Sequence, residues 1–98
     1  MTPLTIDSRV VAVSDLMASD LAGDLVLLNL ADGVYYGLDA VGAHIWRLLD
    51  RPRTVREVVD DVVARYHVDR DRCEHDVLTF LGDLGAHGLL TVTAGDTP

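Results

Sequence analysis

The side chains in this chain with the greatest chemical reach are one cysteine, four histidines and a surplus of carboxylates. A nucleophilic thiol needs a base beside it and a third group to orient that base. Cys73 has only His75 close in sequence, and on a helix positions i and i+2 point apart. Cys73 therefore reads as a structural thiol, packed or partly exposed. His44, His67, His75 and His87 are too dispersed for a zinc signature, and Glu74-His75-Asp76 does not present its ligands on one helical face. Gly33, Gly37 and Gly42 fall at the wrong intervals for a phosphate-cradling loop. Asp60-Asp61 and the acidic stretch from Asp69 to Asp76 read as solvated faces and helix caps, with Asp76 and Asp83 available to basic groups of a partner. The expectation is no catalytic residue, no metal site and no cofactor.

What remains is binding chemistry, and two segments carry it. At about 100° per residue Cys73, Val77, Phe80 and Leu84 form one helical stripe with Leu78 and Leu81 on its shoulder. That apolar surface is wider than a helix needs merely to cap a sheet. Either the helix is buried deeply in a small core, or part of it faces a groove beside a sheet edge. The second segment is Val34-Tyr35-Tyr36-Gly37-Leu38. As an edge strand it has unpaired N–H and C=O groups that can template an extended peptide, with alternate guest side chains falling toward the helix. Tyr35 and Tyr36 suit such a surface, and equally they are ordinary strand formers. Gly37 either allows close backbone approach or marks a bulge.

These segments need a scaffold. Arg9-Val10-Val11-Ala12-Val13 predicts a short first strand, and residues 14–24 read as a connecting loop. Leu25 to Leu30, then Ala31-Asp32-Gly33, then Val34 to Leu38 is the clearest hairpin signal, because Asp-Gly supplies the positive φ of a tight turn. Alternation places Leu28 and Leu30 on one face with Val34, Tyr36 and Leu38, unless a bulge shifts the register. Asp39 caps a helix from Ala40 to about Leu49, with Val41, Ile45, Leu48 and Leu49 at helical spacing, and Arg51-Pro52 stops it. Thr54-Val55-Arg56-Glu57 is a capping box before a second helix striped by Val55, Val58, Val59, Val62, Val63 and Tyr66. Asp71 caps a third helix from about Arg72 to His87, closed by Gly88, and Leu89 to Val92 form a last strand. Residues 94–98 are expected to fray. The order predicts an α+β fold: a small antiparallel sheet of about three strands followed by three helices, resembling a winged helix-turn-helix.

With 98 residues, 49% of them hydrophobic, the chain suits one domain spanning 1–98 around one core. The formal charge of −8, with eight arginines and no lysine, repels phosphate backbones and anionic lipid, so neither nucleic acid nor a membrane is the expected partner. A single cysteine excludes an internal disulfide, and neither a signal peptide nor a membrane span is visible, which makes the cytoplasm the expected location.

Leu28-Asn29-Leu30-Ala31-Asp32-Gly33-Val34-Tyr35-Tyr36-Gly37-Leu38-Asp39, Val41-Gly42, Ile45-Trp46, Leu48-Leu49, Pro52-x-Thr54-Val55, Tyr66 and Asp76-Val77-x-x-Phe80-Leu81-x-x-Leu84-x-x-x-Gly88-Leu89 together resemble the PqqD family over about residues 25–92. The first 24 residues match weakly. The resemblance implies a non-catalytic leader-recognition element for ribosomally made precursor peptides, which takes the leader as an added strand. Carried over, the strand role falls on Val34, Tyr35, Tyr36, Gly37 and Leu38, and the helix role on Asp76, Val77, Phe80, Leu81 and Leu84. Trp46 matches too, with a core role. Tyr35 to Leu38, Val41-Gly42 and Ile45-Trp46 are most similar to stand-alone members of lasso-peptide pathways. That implies a separate cysteine leader peptidase and a later ATP-dependent cyclase as partners. The alternatives are the peptide carrier of pyrroloquinoline quinone biosynthesis and, from another class, an acidic winged-helix transcriptional regulator. On this reading Val77→Asp is expected to abolish peptide binding with the fold retained.

Overall fold

The computed structural model describes residues 4–14, 16–22 and 24–93. In chain order the elements are β1 (Arg9–Ala12), β2 (Leu16–Leu21), β3 (Asp24–Asn29), β4 (Val34–Leu38), α1 (Ala40–Leu48), β5 (Arg53–Thr54), α2 (Val55–Tyr66), α3 (Arg70–Ala86) and β6 (Leu90–Thr93). The fold is α+β with three helices, as expected, but the strands form two antiparallel sheets of three, ordered β5-β1-β6 and β2-β3-β4.

The second sheet corrects the loop expected at residues 14–24. Leu16 to Leu21 pair with Asn29 to Asp24 along their whole length, and Ala22 after them takes φ 53. Ser19 and Asp20 are poor strand formers by type, yet a strand is favoured wherever a partner ladder and a covered face are supplied. β3 supplies both. The hairpin expected between β3 and β4 is present, with a four-residue loop rather than a tight Asp-Gly turn. The Gly33 N–H donates to the Asn29 carbonyl at 2.8 Å, with Gly33 at φ 72. Asn29 Oδ1 accepts from the Ala31 N–H and Asp32 Oδ1 from the Val34 N–H, both at 2.9 Å. This loop pairs Leu27 with Tyr36 and Leu25 with Leu38, which corrects the expected faces. Leu25 and Leu27 share the inner face with Tyr36 and Leu38, whereas Leu28 lies opposite Tyr35 on the outer one.

β1 finds its partners at the far end of the chain. It lies between β6 and β5, and its flanks are tied to the helices by the Ala12 N–H to the Leu49 carbonyl (2.9 Å) and the Val55 N–H to the Ser8 carbonyl (2.9 Å). Buried Ser8 accepts the Thr5 N–H on its hydroxyl at 3.0 Å, so no polar group is stranded there.

The helix ends follow local chemistry. Asp39 Oδ1 accepts the Gly42 N–H (2.8 Å) at the start of α1. At α2, Thr54 Oγ1 accepts from the Glu57 N–H (3.1 Å) while Glu57 Oε1 accepts from the Thr54 N–H (2.8 Å), the reciprocal pair read from the sequence. α3 starts two residues earlier than expected because Asp69, not Asp71, accepts the Arg72 N–H (3.0 Å). Its end is a Schellman closure: Gly88 at φ 73 donates to the Gly85 carbonyl (3.1 Å) and Leu89 to the Leu84 carbonyl (2.9 Å). The core lies where these elements meet, with Leu27, Leu49, Val55, Val58, Val59, Leu81 and Leu89 fully enclosed. The wide apolar surface of α3 has both explanations at once: Leu81 goes into the core, and Phe80 stays half-buried at its margin.

Candidate functional site

β4 is the outer strand of the β2-β3-β4 sheet. β3 takes one of its edges, and among the described residues no strand pairs with the other. Beside the open edge runs a groove of about 640 Å³ whose floor and walls come from four segments. Gly37 and Leu38 end the strand side. Asp39, Val41, Gly42 and Ile45 form the first turns of α1. Val62, Tyr66 and Val68 come from α2 and the residues after it, and Arg72, Cys73, Asp76, Val77 and Phe80 from α3.

Glycine at position 42 lets the Phe80 ring of α3 approach the start of α1. A Cβ there would lie 3.3 Å from Phe80 Cζ, 3.3 Å from Asp39 Oδ1 and 3.4 Å from Leu38 Cβ, so a side chain would force the phenylalanine ring or the helix cap to shift. Along the strand from the groove, the Tyr36 ring meets the His87 ring at 5.1 Å between centroids and 44° between planes. At the opposite end the His44 ring meets Tyr66 edge-on at 6.0 Å, and His44 Nε2 lies 2.6 Å from Asp61 Oδ1. At the rim Arg72 pairs with Asp76 across one helical turn at 3.8 Å.

The residues expected from the sequence divide into three groups. Gly37, Leu38, Asp76, Val77 and Phe80 come together in the groove. Val34, Tyr35 and Tyr36 continue the open edge beyond it, with Tyr36 half-buried and Val34 and Tyr35 exposed. Leu81 and Leu84 are core residues, 0% and 4% exposed, and do not reach the groove. Val77 lies on the groove floor but is only 3% exposed, so its substitution by aspartate would place a charge in the core. This corrects the expectation that Val77→Asp spares the fold. The expected site residues omitted the rest of the lining, Asp39, Val41, Gly42 and Ile45 of α1 and its cap, Val62, Tyr66 and Val68, and Arg72 and Cys73 of α3. Val68, an exposed apolar residue between two helices, was the available signal.

Cys73 is buried on the groove floor, and the described residues hold no cluster of three metal-ligating side chains. Burial pushes its thiol above the ordinary cysteine range, and the Asp76 carboxylate adds to the effect. Both factors disfavour the thiolate that nucleophilic or metal chemistry needs. No described helix is long and apolar enough to cross a membrane.

A second hollow flanks the other open edge, β2, lined by Leu16, Ala18, Leu25 and the half-buried Trp46. Arg47 reaches across its rim to Asp20, and Asp50 lies beside them. Both hollows carry ionic side chains, but the one at β4 is lined by more large apolar residues.

The profile of the family described as Coenzyme PQQ synthesis protein D (PqqD) matches residues 24–90. Two curated proteins from Rhodopseudomonas palustris, both described as PqqA binding protein, are 35% (strain TIE-1) and 33% (strain HaA2) identical to this chain over 60 residues. Those residues are 61% of this chain, which spans 59% of each of these relatives. Among solved structures, TbiB1 in complex with the TbiA(beta) leader peptide superposes with a TM-score of 0.75 at 36% identity, covering 90% of this chain and 99% of that one. A lasso peptide synthetase B1 complexed with the leader peptide shares the fold, with a TM-score of 0.74 at 21% identity over 84% of this chain and 96% of that one. With the profile match taking in both the open strand and the helix beside it, the chain belongs to the PqqD family.

Proposed function

We propose that this protein binds the leader segment of a ribosomally synthesised precursor peptide by adding it as a strand to β4, and that it delivers the peptide to a separate cysteine leader peptidase in lasso-peptide biosynthesis. One observation carries the reading: the open edge of β4 borders an apolar groove walled by α1 and α3. Main-chain bonds to the edge would hold the guest in register, and every second guest side chain would enter the groove. The similarity to TbiB1, a protein described in complex with a leader peptide, supports the same reading.

On this account the protein makes and breaks no covalent bond. It raises the local concentration of the scissile segment at the peptidase, so weak contacts between enzyme and substrate suffice. An ATP-dependent cyclase acting afterwards completes the expected set of partners. Binding in the range of micromolar to tens of nanomolar, about 8 to 10 kcal/mol, is the expected strength. A second reading, carriage of the peptide of pyrroloquinoline quinone biosynthesis, draws on the two relatives described as PqqA binding protein. The resemblance of Tyr35 to Leu38, Val41-Gly42 and Ile45-Trp46 to stand-alone members of lasso-peptide pathways favours the first. A DNA-reading role fits poorly, because on α3 Arg70 is engaged by Asp60 and Glu74, and Arg72 by Asp76.

The test is titration of fluorescently labelled leader peptides from candidate precursors, followed by a scan in which one guest amide at a time is N-methylated. Strand addition predicts loss of affinity at alternate positions. Uniform tolerance of N-methylation would refute it.

A further inference from the structure

Asp60 and Asp61 are adjacent in sequence but stand about 100° apart around α2, so they address different neighbours. Asp60 meets Arg70 of α3, and both side chains are about half exposed, with Arg70 also 3.8 Å from Glu74. Asp61 meets His44 of α1, with His44 Nε2 2.6 Å from Asp61 Oδ1 and the imidazole only 20% exposed. Through this pair of aspartates α2 reaches both walls of the groove. The two bonds differ in weight. An ion pair in open solvent contributes little, because water and salt screen it and two side chains must be ordered. A short bond between a carboxylate and a largely sheltered imidazole is screened less and holds its geometry better. Among the described residues it is the side-chain hydrogen bond that joins α1 to α2.

His44 and Asp61 do not line the groove themselves; their neighbours do. Val41 lies one turn before His44 and Ile45 directly after it, while Val62 follows Asp61 and Tyr66 ends the same helix. The Tyr66 ring meets the imidazole at 76° between planes with centroids 6.0 Å apart, and the Arg65 guanidinium lies 5.9 Å from the centre of that ring. The contacts therefore run from Asp61 to His44, from His44 to Tyr66, and from Tyr66 to the groove. The open edge of β4 is independent of them, because its backbone is held by β3.

We propose that His44 and Asp61 are positioning residues for recognition of the guest: their hydrogen bond fixes the spacing of α1 and α2 and the placement of the Tyr66 ring, and so sets the shape of the groove at its α2 end. The pair governs which guest side chain fits there, while the main-chain bonds to β4 supply the grip. This rests on the strand-addition reading above and assigns the selectivity of that same site.

The test uses the full chain and a fluorescently labelled synthetic leader that the unsubstituted chain binds, together with a set of leaders in which each side chain in turn is replaced by alanine. His44→Leu and Asp61→Ala should each weaken the parent leader about five- to tenfold, and His44→Gln, whose amide can still donate to Asp61, should restore most of that loss. The loss should vanish for one alanine-substituted leader, the one lacking the side chain that enters the α2 end, and persist for the others. Thermal melts check that the variants are folded; should His44→Leu fail to fold, Asp61→Ala, at a position 40% exposed, carries the same cycle. Affinity within about twofold of the unsubstituted chain in folded variants, or a loss of equal size against every alanine-substituted leader, would overturn the proposal. Failure of the underlying reading shows earlier and differently, since the unsubstituted chain would then bind none of the labelled leaders.

Discussion

Val41→Asp separates peptide binding from folding. Val41 is 39% exposed and lies in the first turn of α1, where it lines the groove. That turn contains no acidic side chain, and a carboxylate there would face the free N–H groups of the helix start, a favourable placement of about 0.3 to 1 kcal/mol. Folding should therefore be unaffected or slightly improved. Binding should suffer twice. Full burial of a valine stabilises by about 1.5 to 3 kcal/mol, so covering the remaining two fifths of Val41 with a guest contributes about 0.6 to 1.2 kcal/mol, which aspartate forfeits. Partial desolvation of the new carboxylate, close to Asp39 and Asp76, costs about 1 to 3 kcal/mol more. The sum, about 2 to 4 kcal/mol, corresponds to a loss of about 30-fold or more in affinity. Fluorescence anisotropy with labelled leader reads the affinity, and a thermal melt reads the fold. A folded variant that binds within about threefold of the unsubstituted chain would remove the α1 wall from the site. Val77→Asp does not offer this separation, because a side chain 3% exposed cannot become a carboxylate without a loss of stability of about 3 kcal/mol or more.

Gly42→Leu should block the groove and also strain the junction, since even a Cβ at this position meets Phe80 and the Asp39 cap at 3.3 Å; the expected result is loss of leader binding together with a lowered melting temperature, for a cost of about 1 to 3 kcal/mol. Thr54→Ala should lower stability by about 1 kcal/mol in chemical denaturation, because it removes half of the reciprocal cap of α2. The Thr54 backbone N–H holds the Glu57 carboxyl below its ordinary value of 4.5, so Glu57 contributes stability above that value and loses it as pH falls through its lowered folded pKa. Glu57→Gln should correspondingly flatten the acid limb of a stability-versus-pH curve. Gly88→Ala places a Cβ at φ 73 in the closure of α3 and should cost about 1 kcal/mol without altering leader affinity.

What the sequence alone determined was local. Asp39, the Thr54/Glu57 pair and Gly88 act within a few residues of themselves, so their hydrogen-bonding and φ preferences were readable, and they delimit the helices. The periodic valines of α2 likewise named their own buried face. The family resemblance was legible because it resides in the order and spacing of such local pieces. Tertiary structure decided the rest. β2 exists because β3 provides a ladder for residues of weak strand propensity, and β1 acquires its partners only from β5 and β6, far along the chain. The four-residue loop ending at Gly33 set which leucines face inward, since the side-chain period of two turns any shift of one residue into a change of face. Helical periodicity could put Phe80 and Leu81 on one broad apolar surface, but only the tertiary packing of α3 against its neighbours sent Leu81 to the core and left Phe80 at the groove. A residue's type fixes what it can contact; the neighbours brought in by distant segments fix what it does contact.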